Sequence, residues 1–135
     1  MAIGKVDTHF WKGKRVFITG HTGFKGSWLS LWLQLMGAEV KGFSLTPPTT
    51  PSLFAEANVA QQMQSEIGDI RDFSKLSESI RSFNPDVLLH LAAQPLVRLS
   101  YKEPIETYST NVMGTVNVLE ASRYASHLKA IVVIT

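Results

Sequence analysis

The feature that most limits how this chain can fold is a glycine-rich turn, Thr19-Gly20-His21-Thr22-Gly23-Phe24-Lys25-Gly26, set between segments of different periodicity. Before it, Lys14-Arg15-Val16-Phe17-Ile18-Thr19 is short and rich in β-branched and aromatic residues, which predicts a strand. After it, Phe24, Trp28, Leu31, Trp32 and Leu35 recur at helical spacing, which predicts a core helix with one broad apolar face. Gly37 closes that helix as a left-handed cap. A strand running through glycines into a helix opens a βαβ unit. Gly20 suits a tight turn with positive φ, Gly23 admits a close approach of backbone to a pyrophosphate, and Gly26 lets helix and strand pack closely. The helix N-terminus then offers free N–H groups and a partial positive charge to a diphosphate. The spacing is G-x-x-G-x-x-G rather than the G-x-G-x-x-G of the usual dinucleotide fingerprint.

Strand and helix signals keep alternating beyond this turn. Residues 39–44 predict a second strand. Thr46-Pro47-Pro48-Thr49-Thr50-Pro51 excludes a regular helix or central strand, and a short helix follows over 53–57. A weak third strand spans 63–68. Asp72 caps a helix through Leu76, Ile80 and Phe83, which Asn84-Pro85 ends. Residues 86–93 are nearly all apolar, as in a parallel strand covered on both faces. A loop runs through Tyr101, then a helix extends from Pro104 to about Tyr124, and a fifth strand occupies 129–135. The pattern predicts an α/β fold, a Rossmann-type doubly wound parallel sheet of order 3-2-1-4-5. Residues 1–135 form one dinucleotide-binding domain, with 1–12 as an N-terminal extension. Because Ala130-Ile131-Val132-Val133-Ile134-Thr135 reads as a buried strand, the expectation is the first part of a longer protein, truncated after about the fifth strand and lacking a substrate domain.

Composition excludes other classes. Lys and Arg, 13 against 11 acidic residues, are scattered rather than clustered, so nucleic acid is not an expected partner. The absence of cysteine excludes disulfides and thiolate metal sites and fits a reducing, cytoplasmic compartment; no metal is expected. The most apolar run, residues 28–36, is far short of the roughly 18 residues of a membrane span. Residues 1–13 lack the apolar core of a secretory signal.

The loop sequence Thr-Gly-His-Thr-Gly-Phe-Lys-Gly resembles the cofactor loop of the extended short-chain dehydrogenases/reductases, especially nucleotide-sugar epimerases and dehydratases. Gly68-Asp69-Ile70-Arg71-Asp72 resembles their adenine-contacting segment. His90-Leu91-Ala92-Ala93-Gln94 resembles the fourth-strand motif beside the cofactor, and Asn111-Val112-Met113-Gly114-Thr115 the helix segment with a structural or catalytic Asn. Ala92-Ala93-Gln94-Pro95-Leu96-Val97-Arg98, with Tyr101, Pro104 and Glu106-Thr107-Tyr108, narrows the resemblance to 4,6-dehydratases that act on CDP-glucose. Ser44-Leu45-Thr46-Pro47 and Pro51-Ser52-Leu53-Phe54 agree. The resemblance covers the chain from Gly13 onward.

The cofactor candidates are Gly20, Thr22, Gly23, Phe24, Lys25 and Gly26 in the loop. Ser44 and Thr46 follow the second strand, Asp69 and Ile70 the third, and Leu91, Ala92, Ala93 and Gln94 lie at the end of the fourth. NAD-selective sites usually carry Asp or Glu at the end of the second strand, bonded to the ribose 2′-hydroxyl. No acidic residue lies between Val40 and Ala55, and Glu39 is at the wrong end. NADP would want Arg or Lys, and none occurs between Gly42 and Gln64. Since an unneutralised phosphate is costlier to seat than a hydroxyl, NAD is expected, with Ser44 and Thr46 hydroxyls on the ribose. Asp69 is expected to accept the adenine amino group, and Ile70 to pack on the ring. Gln94 and Arg98 are candidates for a nucleotide-sugar substrate. His90, inside an apolar strand, reads as a satisfied core histidine, and Tyr108 and Met113 as packing residues.

The resemblance implies oxidation of glucose C4, loss of water across C5 and C6, and reduction at C6, in deoxysugar biosynthesis for lipopolysaccharide O-antigen. It also implies a homo-oligomer paired through helices. Alternatives are an epimerase or reductase of the same family, and a non-catalytic dinucleotide-binding module. The chemistry needs Tyr-x-x-x-Lys, which this sequence lacks. Asn111 matches the family's Asn that orients a helix and water near the active site. Thr135 stands next to the expected catalytic hydroxyl.

Overall fold

The computed structural model describes residues 4–135. The first strand, β1 (Arg15–Thr19), leads through the glycine turn into α2 (Phe24–Leu35), preceded by a short α1 (Thr8–Trp11). Then come β2 (Glu39–Ser44), α3 (Leu53–Glu56), a 3-10 turn (Val59–Gln62), β3 (Gln64–Ile67), α4 (Phe73–Phe83) and β4 (Val87–His90). The chain continues through α5 (Val97–Lys102), α6 (Pro104–Tyr108), a π turn (Ser109–Met113), α7 (Gly114–Ser122) and β5 (Ala130–Val133). All pairings are parallel and the order is β3-β2-β1-β4-β5, as the alternation predicted.

Period-2 alternation divides the core between two faces of the sheet. Phe17, Phe43 and Leu88 meet Leu76, Ile80 and Phe83 of α4 and Val118 and Ala121 of α7. Val16, Ile18, Val40, Val87 and Leu89 meet Leu33 of α2 and Met36 just after it, with Trp11 of α1 packed against them. Asp72 caps α4 by accepting from Lys75 N, and Asn84 ends it in the left-handed region at φ 50°. Gly37, at φ +82°, turns the chain after α2.

Four sequence expectations change. The apolar stripe of α2 faces outward: Phe24, Trp28, Trp32 and Leu35 are exposed, and the sheet side carries Gly26, Ser27, Ser30 and Leu33. The fourth strand ends at His90, and residues 91–96 are irregular. The loop expected through Tyr101 holds helix α5, while the long helix after Pro104 contains a π turn centred on Asn111. Finally, β5 is exposed along its length, and Tyr108 and Met113 are exposed rather than packed.

Candidate functional site

Register brings Thr19, Phe43 and His90 abreast, pairs Ser44 with Ile67, and sets His90 beside Val133. The glycine turn, the segment after Ser44, Gly68-Asp69-Ile70, residues 91–96 and Ile134-Thr135 therefore all leave the same carboxyl edge. Open α/β sheets bind ligands outside that edge, at the point where strand order reverses. Here the reversal lies between β1 and β4.

Within the turn, each glycine meets a different neighbour. Gly20 has φ +81°, and a Cβ there would lie 2.8 Å from Ala92 N. A Cβ on Gly26 would lie 2.0 Å from Gly20 O, so this position fixes the closeness of α2 to the turn. At Gly23 a Cβ would meet only Gly20 O, at 3.4 Å. Protein crowding explains two of the glycines but not the third, whose outer side is open. Gly23 is also the N-cap of α2 and supplies no side-chain cap, so the first-turn N–H groups face outward for an anion. Phe24 and Lys25 are exposed on that first turn.

His21 points the other way. It is fully buried, its Nε2 lies 2.7 Å from Ser65 Oγ, and its ring stands edge-on to Phe54 at 5.4 Å. A Cβ on Gly42 would sit 2.2 Å from the ring, so only glycine on β2 leaves room for it. Burial lowers its pKa to about 4, and Nδ1 has no hydrogen-bond partner among the described residues.

Beside it, Thr22 Oγ1 donates to Leu45 O at 2.8 Å and lies 2.8 Å from Ser44 Oγ. Thr22 and Ser44 are buried; Leu45 and Thr46 are exposed. Asp69 is gripped by Arg71, whose Nε lies 3.0 Å from both carboxylate oxygens and whose Nη2 lies 2.6 Å from Oδ2. Those bonds hold the Asp69 carboxyl below its ordinary range. Ile70 is buried in the core against Gly114, so its side chain is committed to α7 rather than free for a ring. Asn117 Nδ2 donates to Ile70 O at 2.9 Å and Arg71 O at 3.3 Å, pinning this segment.

A buried polar chain joins β1, β4 and the π turn. Thr115 Oγ1 donates to Asn111 O at 2.7 Å, so it accepts from His90 Nε2 at 3.0 Å. That leaves His90 Nδ1 to accept from Thr19 Oγ1 at 2.6 Å. Thr19 Oγ1 in turn accepts from Leu91 N and Ala92 N, each at 3.2 Å. His90 is thus neutral and satisfied, and burial lowers its pKa. Asn111 Oδ1 accepts from Gln94 N at 2.8 Å and its Nδ2 donates to Gln94 O at 3.0 Å. The side-chain amide pairs with residue 94 as a neighbouring strand would. Gln94 itself spends Oε1 on Leu96 N and Nε2 on Leu96 O and Thr107 Oγ1.

The edge thus gathers the loop glycines, Thr22, Ser44, Thr46, Asp69, residues 91–94 and Asn111. Leu91 and Ala92 are half-buried, one in each core cluster, and Ala93 is exposed. Arg98 is exposed on α5 and forms no ion pair among the described residues. Thr135 follows Ile134, whose N–H donates to His90 O at 3.0 Å. Sequence reasoning missed the roles of Thr19, His21, Thr115 and Asn117; polar residues inside apolar strands or beside a glycine turn were the available signal. Among the described residues no three His, Asp or Glu side chains converge as metal ligands, and no helix is long and apolar enough to cross a membrane. The arrangement can seat an anion at a helix N-terminus and meet neutral groups with hydroxyls.

Comparison with known proteins agrees with this geometry. The model of the GDP-mannose 4,6 dehydratase family matches residues 17–135. The chain is 63% identical over 130 residues to a CDP-glucose 4,6-dehydratase of Salmonella typhimurium, covering 96% of this chain and 36% of that protein. An epimerase structure from Methanothermobacter thermautotrophicus superimposes with TM-score 0.79 at 27% identity, over 93% of this chain and 36% of that one. A UDP-glucose 4-epimerase of Thermus thermophilus, solved as its NAD complex, gives TM-score 0.75 at 30% identity, over 86% and 36%. The chain therefore spans about a third of the length of these relatives, with 36% of each covered.

Proposed function

The chain belongs to the GDP-mannose 4,6 dehydratase family, within the extended short-chain dehydrogenases/reductases, and on that premise we propose that it is the cofactor-binding part of an NAD-dependent nucleotide-sugar 4,6-dehydratase. The proposed conversion is CDP-glucose to CDP-4-keto-6-deoxyglucose, through oxidation at C4, loss of water across C5 and C6, and reduction at C6. The observation that carries the cofactor reading is Gly23: an open, uncapped helix N-terminus at the topological switch point, with nothing of the protein crowding it. The dehydratase reading rests on 63% identity to a CDP-glucose 4,6-dehydratase over most of the chain.

Bound NAD would supply the hydride acceptor and donor. The residues of this chain would bind and orient it. The Gly23 N–H donates to Gly20 O at 3.1 Å, so the backbone N–H groups at Phe24 and Lys25 would take the pyrophosphate, with the Lys25 side chain in reach from the exposed first turn. Ser44 and Thr46 would meet the adenosine ribose, and Asp69 the adenine edge. The segment 91–94, clamped by Asn111, would line the nicotinamide side. Gln94 would need to release its internal bonds to meet a sugar, and Arg98 would meet the substrate diphosphate only from its exposed helix. Residues 1–135 would then be the NAD-binding portion, with 1–12 as its N-terminal extension, in a cytoplasmic homo-oligomer.

The Tyr-x-x-x-Lys that such chemistry uses does not occur in these residues, so this chain alone should bind but not turn over. Titration of NADH against tryptophan fluorescence should show saturable binding; an unchanged signal, confirmed by calorimetry, would refute the cofactor reading. Incubated with CDP-glucose and NAD, the chain should release no 4-keto-6-deoxy product. A full-length protein carrying it should release that product, and release of a C4 epimer would instead assign an epimerase.

A further inference from the structure

We propose that Thr22 fixes the direction of the Ser44 hydroxyl and so turns the end of β2 into an acceptor-only reader of the adenosine ribose 2′-hydroxyl. The proposal rests on the reading of this edge as a dinucleotide site. A hydroxyl carries one hydrogen. That of Thr22 is spent on Leu45 O, at 2.8 Å. Ser44 Oγ lies 2.8 Å from Thr22 Oγ1, so Ser44 must be the donor in that contact. Its hydrogen points back into the protein, and only lone pairs remain for a ligand. Both side chains are buried, at 4% and 8% exposure, so solvent does not compete to reorient them.

An acceptor at this position does what a carboxylate would do: it takes a hydrogen bond from the ribose 2′-hydroxyl. A 2′-phosphate offers only acceptors at neutral pH, so it would meet lone pairs with lone pairs. No Lys or Arg occurs between Gly42 and Gln64 to offset the charge. Lys41 on β2 pairs with Glu66 at 3.3 Å, and Arg71, in the turn after β3, pairs with Asp69. Selection against the phosphate therefore depends on Thr22, which touches Ser44 and need not touch the nucleotide ribose itself.

The test is binding, not turnover. NAD, NADP and the 2′-deoxyadenosine analogue of NAD are titrated calorimetrically into the wild type and into Thr22→Val, Thr22→Ser and Ser44→Ala, each checked for native circular dichroism. Wild type should bind the 2′-deoxy analogue about fivefold more weakly than NAD, the size of one ordinary hydrogen bond. Ser44→Ala should bind the two alike. Thr22→Val frees the Ser44 hydrogen, so its NAD-over-NADP preference should fall about fivefold, again one hydrogen bond's worth. Thr22→Ser, which keeps the hydroxyl, should hold the wild-type ratio. An unchanged ratio in Thr22→Val overturns the proposal, as does equal binding of NAD and its 2′-deoxy analogue by wild type, a result that needs no variant to fold. Failure of wild type to bind NAD at all overturns the cofactor reading itself, and is thereby distinguishable.

Discussion

At the scale of single residues, the site depends on polar groups placed where water cannot reach. His21 is the sharpest case. Its folded pKa of about 4 lies below the ordinary value of 6.5, so between those values the unfolded chain takes up a proton that the folded chain resists. The resulting stability is fully present above about pH 6.5 and declines as pH falls toward 4. Urea denaturation at pH 7 and pH 4.5 should show a lower midpoint in acid. His21→Gln should lower stability at pH 7 by about 1–2 kcal/mol and flatten the acid decline. An equally steep decline in the variant would assign the titration elsewhere, His90 being the next buried histidine. Asn111 makes a second residue-level case. Asn111→Ala removes two bonds to the Gln94 backbone and should cost about 2 kcal/mol. Exchange of the Gln94 amide should quicken much more than that of Leu88 in the sheet core.

At the scale of elements, the strands were legible because parallel strands buried on both faces must be apolar, and Val16, Ile18, Leu88 and Leu89 have no other reading. Helix α2 was legible as a helix but not in its orientation. Gly26 lets its first turn approach Gly20 closely, and the inward side then accepts only small residues for two turns. Ser27 Oγ donates to His21 O and Ser30 Oγ to Gly26 O, so these hydroxyls are buried without cost and the aromatic stripe faces out. Hydrophobic periodicity cannot see that exchange, because it counts serines as surface. The π turn was equally hidden, since it reflects a tertiary demand, the aiming of Asn111 at Gln94, rather than a local propensity. The candidate site divides the same way. Its positions followed from strand ends, while its partnerships, such as Thr22 with Ser44 or Asn117 with Ile70, depend on register. Gly26→Ala tests the packing argument: a Cβ 2.0 Å from Gly20 O forces helix and turn apart. The variant should lose at least about 2 kcal/mol of stability, together with NADH binding. A stable variant with intact binding would show that the turn has slack.

At the scale of the whole molecule, the same packing leaves apolar surface on two sides of the sheet. Phe24, Trp28, Trp32 and Leu35 form one tract on α2, while Tyr101, Ile105, Tyr108, Val116 and Leu119 form another along α5 to α7. In addition, β5 lies at the end of the sheet with Ile131, Val132 and Val133 at 37–45% exposure. A monomer rarely leaves contiguous tracts of this kind in water, and an edge strand adds unpaired backbone groups. The 135-residue chain should therefore self-associate at micromolar concentration, which light scattering after size exclusion would register as a mass above that of one chain. Because the tracts are separate, charge on one should shift the distribution only part way. Trp28→Lys with Trp32→Glu, or Val116→Lys with Leu119→Glu, should each reduce association, and the four changes together should yield a monomer. A wild-type chain that runs as a single monomeric species would show that neither tract is sticky enough to bind another copy.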